Sequence, residues 1–177
     1  MRFFSSVIAL IILLSSCADR PATQAPLLAV SNPQEKQDNL IKFTVNGKEV
    51  VTAGWTISRV HWSFDPTKEW LNITTDMHKE KRTIGVNLAG SVAGVYTLEE
   101  GGSFKKKSHG DYKPDYADFL NGYSFISGEF NLTEIDTVRN IVNGSFYGTV
   151  INTKGETLTI SNGQIINGKL KPGVTQL

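Results

Sequence analysis

The chain has 177 residues, with 18 Lys plus Arg against 17 Asp plus Glu, a formal net charge of +1 and one cysteine. Near-neutral charge with no concentrated basic face excludes nucleic acid as an expected partner. A lone cysteine excludes an internal disulfide framework and a cysteine-rich zinc site, and the length suits a single domain beside its leader segments.

Residues 1–16 begin with Met1-Arg2 and continue as an almost wholly apolar run over residues 3–14, unbroken from Val7 to Leu14. At about a dozen residues this run is shorter than the roughly 18 that cross a bilayer as a helix. A charged start, a short apolar middle and the small pair Ser15-Ser16 describe a secretory signal. Leu14-Ser15-Ser16-Cys17 resembles the lipobox of bacterial lipoproteins. The resemblance implies cleavage before Cys17, a diacylglycerol thioether on that residue and a further acyl chain, such as palmitate, on the new amino group. One myristoyl-sized chain binds membranes with a constant of only about 10⁴ M⁻¹, whereas two or three make release negligible. The expected address is therefore the cell envelope, with the protein anchored to a membrane, the outer membrane foremost. Residues 17–39 contain Pro21, Pro26 and Pro33 and read as lipidated cysteine plus flexible tether.

Residues 40–177 read as one all-β domain. Ile41, Phe43 and Val45 alternate with polar residues and run into Asn46-Gly47, the strongest short hairpin signal. The 55–62 segment places Trp55, Ile57, Arg59 and His61 on one face and Thr56, Ser58, Val60 and Trp62 on the other. Neither face is cleanly apolar, which suggests an edge or rim strand with Trp55 exposed. Asp65-Pro66-Thr67-Lys68 has turn composition; strands are expected over 70–75, 82–89 and 95–98, with a polar tip at Lys79-Glu80-Lys81.

Residues 99–121 break the alternation and read as one long loop, with a short helix over 115–120 started by Pro114. Strands resume over 123–136, 141–151, 156–161 and 164–170, separated by turn residues that include Asn162-Gly163. About nine short strands and no long helical period imply an antiparallel β-sandwich or flattened barrel with one long loop. Gly144 and Gly148 flank Phe146 on one strand face, which predicts either that a neighbouring side chain crosses there or that the strand coils sharply.

Three stretches carry a family resemblance: Phe43-Thr44-Val45-Asn46-Gly47-Lys48, Gly94-Val95-Tyr96-Thr97-Leu98, and Asn143-Gly144-Ser145-Phe146-Tyr147-Gly148 with Leu158-Thr159-Ile160-Ser161-Asn162-Gly163-Gln164. Together they resemble small envelope lipoproteins of Bacteroidota whose "G-T-F-S-F" strand pairs with a final "I-T-N-G-x-F" strand. Gln164-Ile165-Ile166 lacks the Phe usual there. The resemblance implies an exported all-β domain and no particular chemistry.

The candidate chemistry is sparse. His61, His78 and His109 are not at ligand spacing, so no metal and no cofactor is expected. Asp111, Asp115 and Asp118 are clustered as calcium ligands would be, but without EF-hand spacing and with Lys113 among them. Tryptophan and tyrosine are the residues that stack on sugars or anchor partners, so Trp55, Arg59, His61, Tyr112 and Tyr116 form the expected ligand-binding set. Asp136-Thr137-Val138 is similar to the O-glycan acceptor of exported Bacteroidota proteins, making Thr137 a candidate modification site. The leading expectation is a binding or structural module, not an enzyme, meeting a glycan or an envelope protein. The alternatives are a glycan-directed enzyme using carboxylates of residues 99–121, and a calycin-like carrier of a small apolar ligand.

Overall fold

The computed structural model describes residues 39–52, 55–75, 81–101 and 105–177. The expected signal, Cys17, the expected tether through residue 38, His78 and Lys79-Glu80 lie outside the described residues. In chain order the strands are β1 (Leu40–Val45), β2 (Lys48–Thr52), β3 (Trp55–Trp62), β4 (Asp65–Thr75), β5 (Thr83–Leu88), β6 (Gly94–Glu99) and β7 (His109–Lys113). A 3₁₀ turn at Phe119–Asn121 is followed by β8 (Tyr123–Asp136), β9 (Ile141–Asn152) and β10 (Thr157–Gln176).

The fold is all-β, a large sheet that curls partly into a ring, within the sandwich or flattened-barrel class that the alternation implies. Its frame is the meander β8–β9–β10, with Asp136 opposite Ile141 and Thr157 opposite Ile151. From β8 the sheet passes through β7, β5 and β4 to β3. The end of β10 then pairs in parallel with β3, Leu170 opposite Ile57 and Gln176 opposite His61. The β1–β2 hairpin lies on β10 alongside residues 160–166, and β6 lies on β8 alongside residues 127–132.

Turn chemistry explains the joints. Asn46 and Gly47 adopt φ of 45° and 80°, the left-handed pair that a two-residue hairpin needs. At the β8–β9 joint, Asp136 accepts the amides of Val138 and Arg139, both at 2.8 Å. At the β9–β10 joint, Asn152 Oδ1 accepts the amides of Lys154 and Glu156 at 3.0 and 2.9 Å.

Three expectations are corrected. Asn162-Gly163 is a bulge inside the continuous β10: register shifts between Ile160 and Gly163, and Asn162 sits at φ 53°. A second bulge at Asn167, φ 47°, shifts register between Ile165 and Gly168. Bulges add local twist and bend a strand, which suits β10 to leave β1 and meet β3. Second, residues 99–121 are not one loop: they contain β7, and the expected helix is only the short 3₁₀ turn. Third, residues 65–68 belong to β4, and the chain turns at Ser63-Phe64 instead.

The core fills the ring with Ile41, Phe43, Ile57, Leu71, Ile73, Leu88, Phe125, Phe130, Leu132 and Phe146. Phe146 stacks on Phe130 at 5.6 Å between centroids and tilts against Phe43 at 6.0 Å. The flanking glycines do leave room for crossing rings: a Cβ on Gly144 would stand 3.0 Å from Phe130, and one on Gly148 2.8 Å from Phe125. A separate apolar cluster covers the outer side of β3 and β4. Trp70, fully buried, packs edge-on against Phe64 at 5.5 Å and His109 at 6.0 Å, and donates its indole N–H to Asp65 at 3.2 Å.

Candidate functional site

The five residues expected to form one ligand site are scattered. Trp55 starts β3 and is only 8% exposed, its indole N–H donating to the Thr52 carbonyl at 3.2 Å. The expected exposure is therefore corrected. β3 carries buried side chains on both faces, Trp55 and Ile57 on one and Ser58 and Val60 on the other, while Arg59, His61 and Trp62 stay partly exposed. Arg59 pairs with Glu69 at 3.7 Å, and Glu69 also accepts from the Ser91 hydroxyl. The Nε of Arg59 is buried without a partner among the described residues. His61 Nδ1 lies 3.1 Å from the Lys68 carbonyl. Tyr112 and Tyr116 are elsewhere: β7 is separated from β3 by β4 and β5, three strand spacings or roughly 14 Å.

Tyr112 helps to build the more distinctive concavity, an open cleft of about 380 Å³ between the β1–β2 hairpin and the end of the ring. Its apolar wall is Val45, Val50, Pro114 and Leu158, with the rings of Tyr112 and Tyr123 beside them. Tyr112 is 3% exposed, meets Phe43 edge-on at 6.0 Å and lies 6.4 Å from Tyr123. Burial pushes its hydroxyl pKa upward; the nearby Arg82 charge opposes the rise, and Tyr123 adds to it. Lys48 and Arg82 line the same cleft and are exposed to solvent. Glu156 accepts from Asn152 Nδ2 at 2.7 Å and from the Tyr123 hydroxyl at 3.4 Å, and is not part of the lining. Sequence reading found only Tyr112 here. The others come from five separate stretches, and only the topology unites them.

Tyr116 lines a smaller pocket of about 190 Å³ with Asp111, Lys113 and the bare backbone of Gly85. Lys113 Nζ stands 5.8 Å over the Tyr116 ring and 3.9 Å from Asp111. Loss of water raises the Asp111 carboxyl pKa, while Lys113 and His109 oppose the rise. The three aspartates of the calcium reading point to different partners: Asp115 pairs with Lys81 at 3.0 Å, and Asp118 bonds Asn121. Among the described residues no three His, Cys, Asp or Glu side chains gather as a metal would require. Of the other carboxylates in residues 99–121, Glu99 is bridged by Lys107 at 2.8 and 3.0 Å.

A broader groove of about 750 Å³ runs along the β8–β9–β10 face. It carries the half-exposed Tyr147, whose hydroxyl bonds Glu129, among the hydroxyls of Ser127, Ser145 and Ser161. Thr137 is exposed at the tip of the β8–β9 joint, next to the 90% exposed Val138.

The class defined by this geometry is an all-β ring with an apolar, cation-edged cleft at one end. No family model, characterised protein or solved structure matches the chain. Among the described residues no helix is long and apolar enough to cross a membrane.

Proposed function

We propose that this protein is a lipid-anchored binding module of the cell envelope, held through Cys17 and capturing a small ligand in the cleft beside Tyr112. The carrying observation is the cleft itself: about 380 Å³ with apolar walls and cations at its edge, within the roughly 300–1,000 Å³ of small-molecule sites.

The address rests on the lipobox residues and on the resemblance to Bacteroidota envelope lipoproteins. Membrane fractionation tests it: Cys17→Ala is expected to move the protein from the membrane to the soluble fraction, and unchanged membrane retention refutes the anchor.

A second reading, glycan capture on the β8–β9–β10 face, is favoured by the half-exposed Tyr147 among serine hydroxyls. A glycan array separates the two. Binding lost in Tyr147→Ala supports the groove, and product release in place of binding supports an enzyme. Thr137 is the acceptor proposed for an O-glycan; an unmodified intact mass from the native cell refutes it.

A further inference from the structure

Resting on the cleft reading above, we propose that the ligand is an amphipathic anion: an apolar body that fills the cleft, ending in one carboxylate or phosphate group held at Arg82 and Lys48. Of the described arginines, Arg59 pairs with Glu69, and Arg139 pairs with Glu134 and Asp136. Arg82 has no carboxylate partner among the described residues, and neither has Lys48. These two cations, without a carboxylate partner among the described residues, line the same cleft, one from the start of β2 and one from just before β5.

The walls set the other half of the ligand. Val45, Val50, Pro114 and Leu158 offer no hydrogen bond from their side chains, and Asn46, the one amide side chain of the lining, already accepts from the Thr159 amide at 2.9 Å, so a sugar or a peptide backbone laid on these walls would lose more water than it regains in hydrogen bonds. An alkyl or aryl body loses nothing and removes apolar surface from water. The two neighbouring tyrosine rings, 6.4 Å apart, also sit in different fields. Glu156, bonded to Tyr123, puts negative charge near that ring, whereas the Arg82 charge reaches Tyr112. The anionic group therefore belongs on the Arg82–Tyr112 side, with the Tyr112 hydroxyl, still protonated at neutral pH, available as a donor. A guanidinium grips a carboxylate or phosphate through two parallel hydrogen bonds, which gives Arg82 the larger share and Lys48 a supporting one.

The test uses the chain from Ala18 onward, which keeps every described residue and needs no detergent. Four probes share one tail: decanoate, decyl phosphate, decanol and decyltrimethylammonium. Affinities come from calorimetric titration, and location from the ring resonances of Tyr112 and Tyr123. Either anion is expected to bind at least tenfold more tightly than decanol, and the stronger of the two identifies the headgroup. Arg82→Gln is expected to weaken the anion roughly ten- to hundredfold while leaving decanol unchanged, and Lys48→Gln by a smaller factor. Both side chains are exposed, so neither change threatens the fold. Decanol or the cation binding as tightly as the anions overturns the proposal and leaves the cleft reading standing, as does an Arg82→Gln protein with full anion preference. If no probe moves either tyrosine, both the proposal and the cleft reading fall.

Discussion

Gly148→Ala tests whether the packing of the long meander is as tight as its geometry says. Gly148 lies on the inner face of β9, buried, opposite Gly128 of β8. A Cβ built there would stand 2.8 and 2.9 Å from two ring carbons of Phe125 and closer still to the Ser127 carbonyl oxygen. Two effects oppose one another. Alanine in a strand is favoured over glycine by about 0.5–1 kcal/mol, because glycine loses more freedom on folding. Overpacking a filled core costs about 1–3 kcal/mol. The second wins here, because one obstacle is a backbone oxygen beside the β8 bulge between Phe125 and Ser127 and has no rotamer to move into. The net loss is about 1–2 kcal/mol, or roughly 3–7 °C in Tm for a domain of this size. Thermal and urea unfolding measure it. Adding Phe125→Leu removes the ring but not the carbonyl, so relief of the clash is partial. Gly155→Asn is the control: open space surrounds that position, and asparagine tolerates its φ of 83°. A Gly148→Ala protein that melts at or above the parent refutes the crossing-ring account of these glycines.

Two further outcomes follow from placement and burial. Trp55→Ala is expected to cost about 3–5 kcal/mol in urea unfolding, the penalty of emptying a core position; a loss below about 0.5 kcal/mol would return Trp55 to the surface. Alkaline stability depends on Tyr112. Its folded pKa is raised by burial, so the unfolded chain gives up this proton first. The contribution is fully present below tyrosine's ordinary value of about 10 and is lost as pH climbs past it toward the folded value. The urea midpoint should fall between pH 9 and 11, with a shallower fall in Tyr112→Phe; identical slopes refute the assignment.

Much of the fold was legible because alternation and turn chemistry are local. The strand expected over 123–136 spans β8, and Asn46-Gly47 makes the hairpin it announces. Asn162-Gly163 shows where locality ends. The same taste for left-handed φ serves a two-residue turn or a bulge, and the choice depends on whether neighbours continue on both sides. Here β9 and β1 both do, so β10 runs on through the pair. β7 was hidden for a related reason. His109-Gly110-Asp111-Tyr112-Lys113 has one large inward residue, Tyr112, and little strand propensity of its own. Pairing with β5 along its length and with Ser124 and Tyr123 of β8 makes it a strand.

The candidate site was harder to read than the fold, and the reason is the same non-locality carried further. Sequence pattern distinguishes inside from outside only when one face of a strand is wet. In β3 and the Trp70–Thr75 half of β4 buried side chains fall on both faces among partly exposed ones, so Arg59, His61 and Trp55 looked like a rim, and the buried Trp70 gave no sign that it sits on the outer side. The cleft inverts this. Val45, Val50 and Leu158 obey the core pattern, yet they line an opening because β1 and β2 pair beside β10 without closing onto β5 and β7. An apolar residue that ends a strand therefore carries two meanings, plug or wall. Which one holds depends on whether another strand continues past it, and that is a property of the sheet rather than of any stretch of chain. The charges at the edge make the distinction testable: a plugged end has no use for an unpaired arginine, and a binding mouth does.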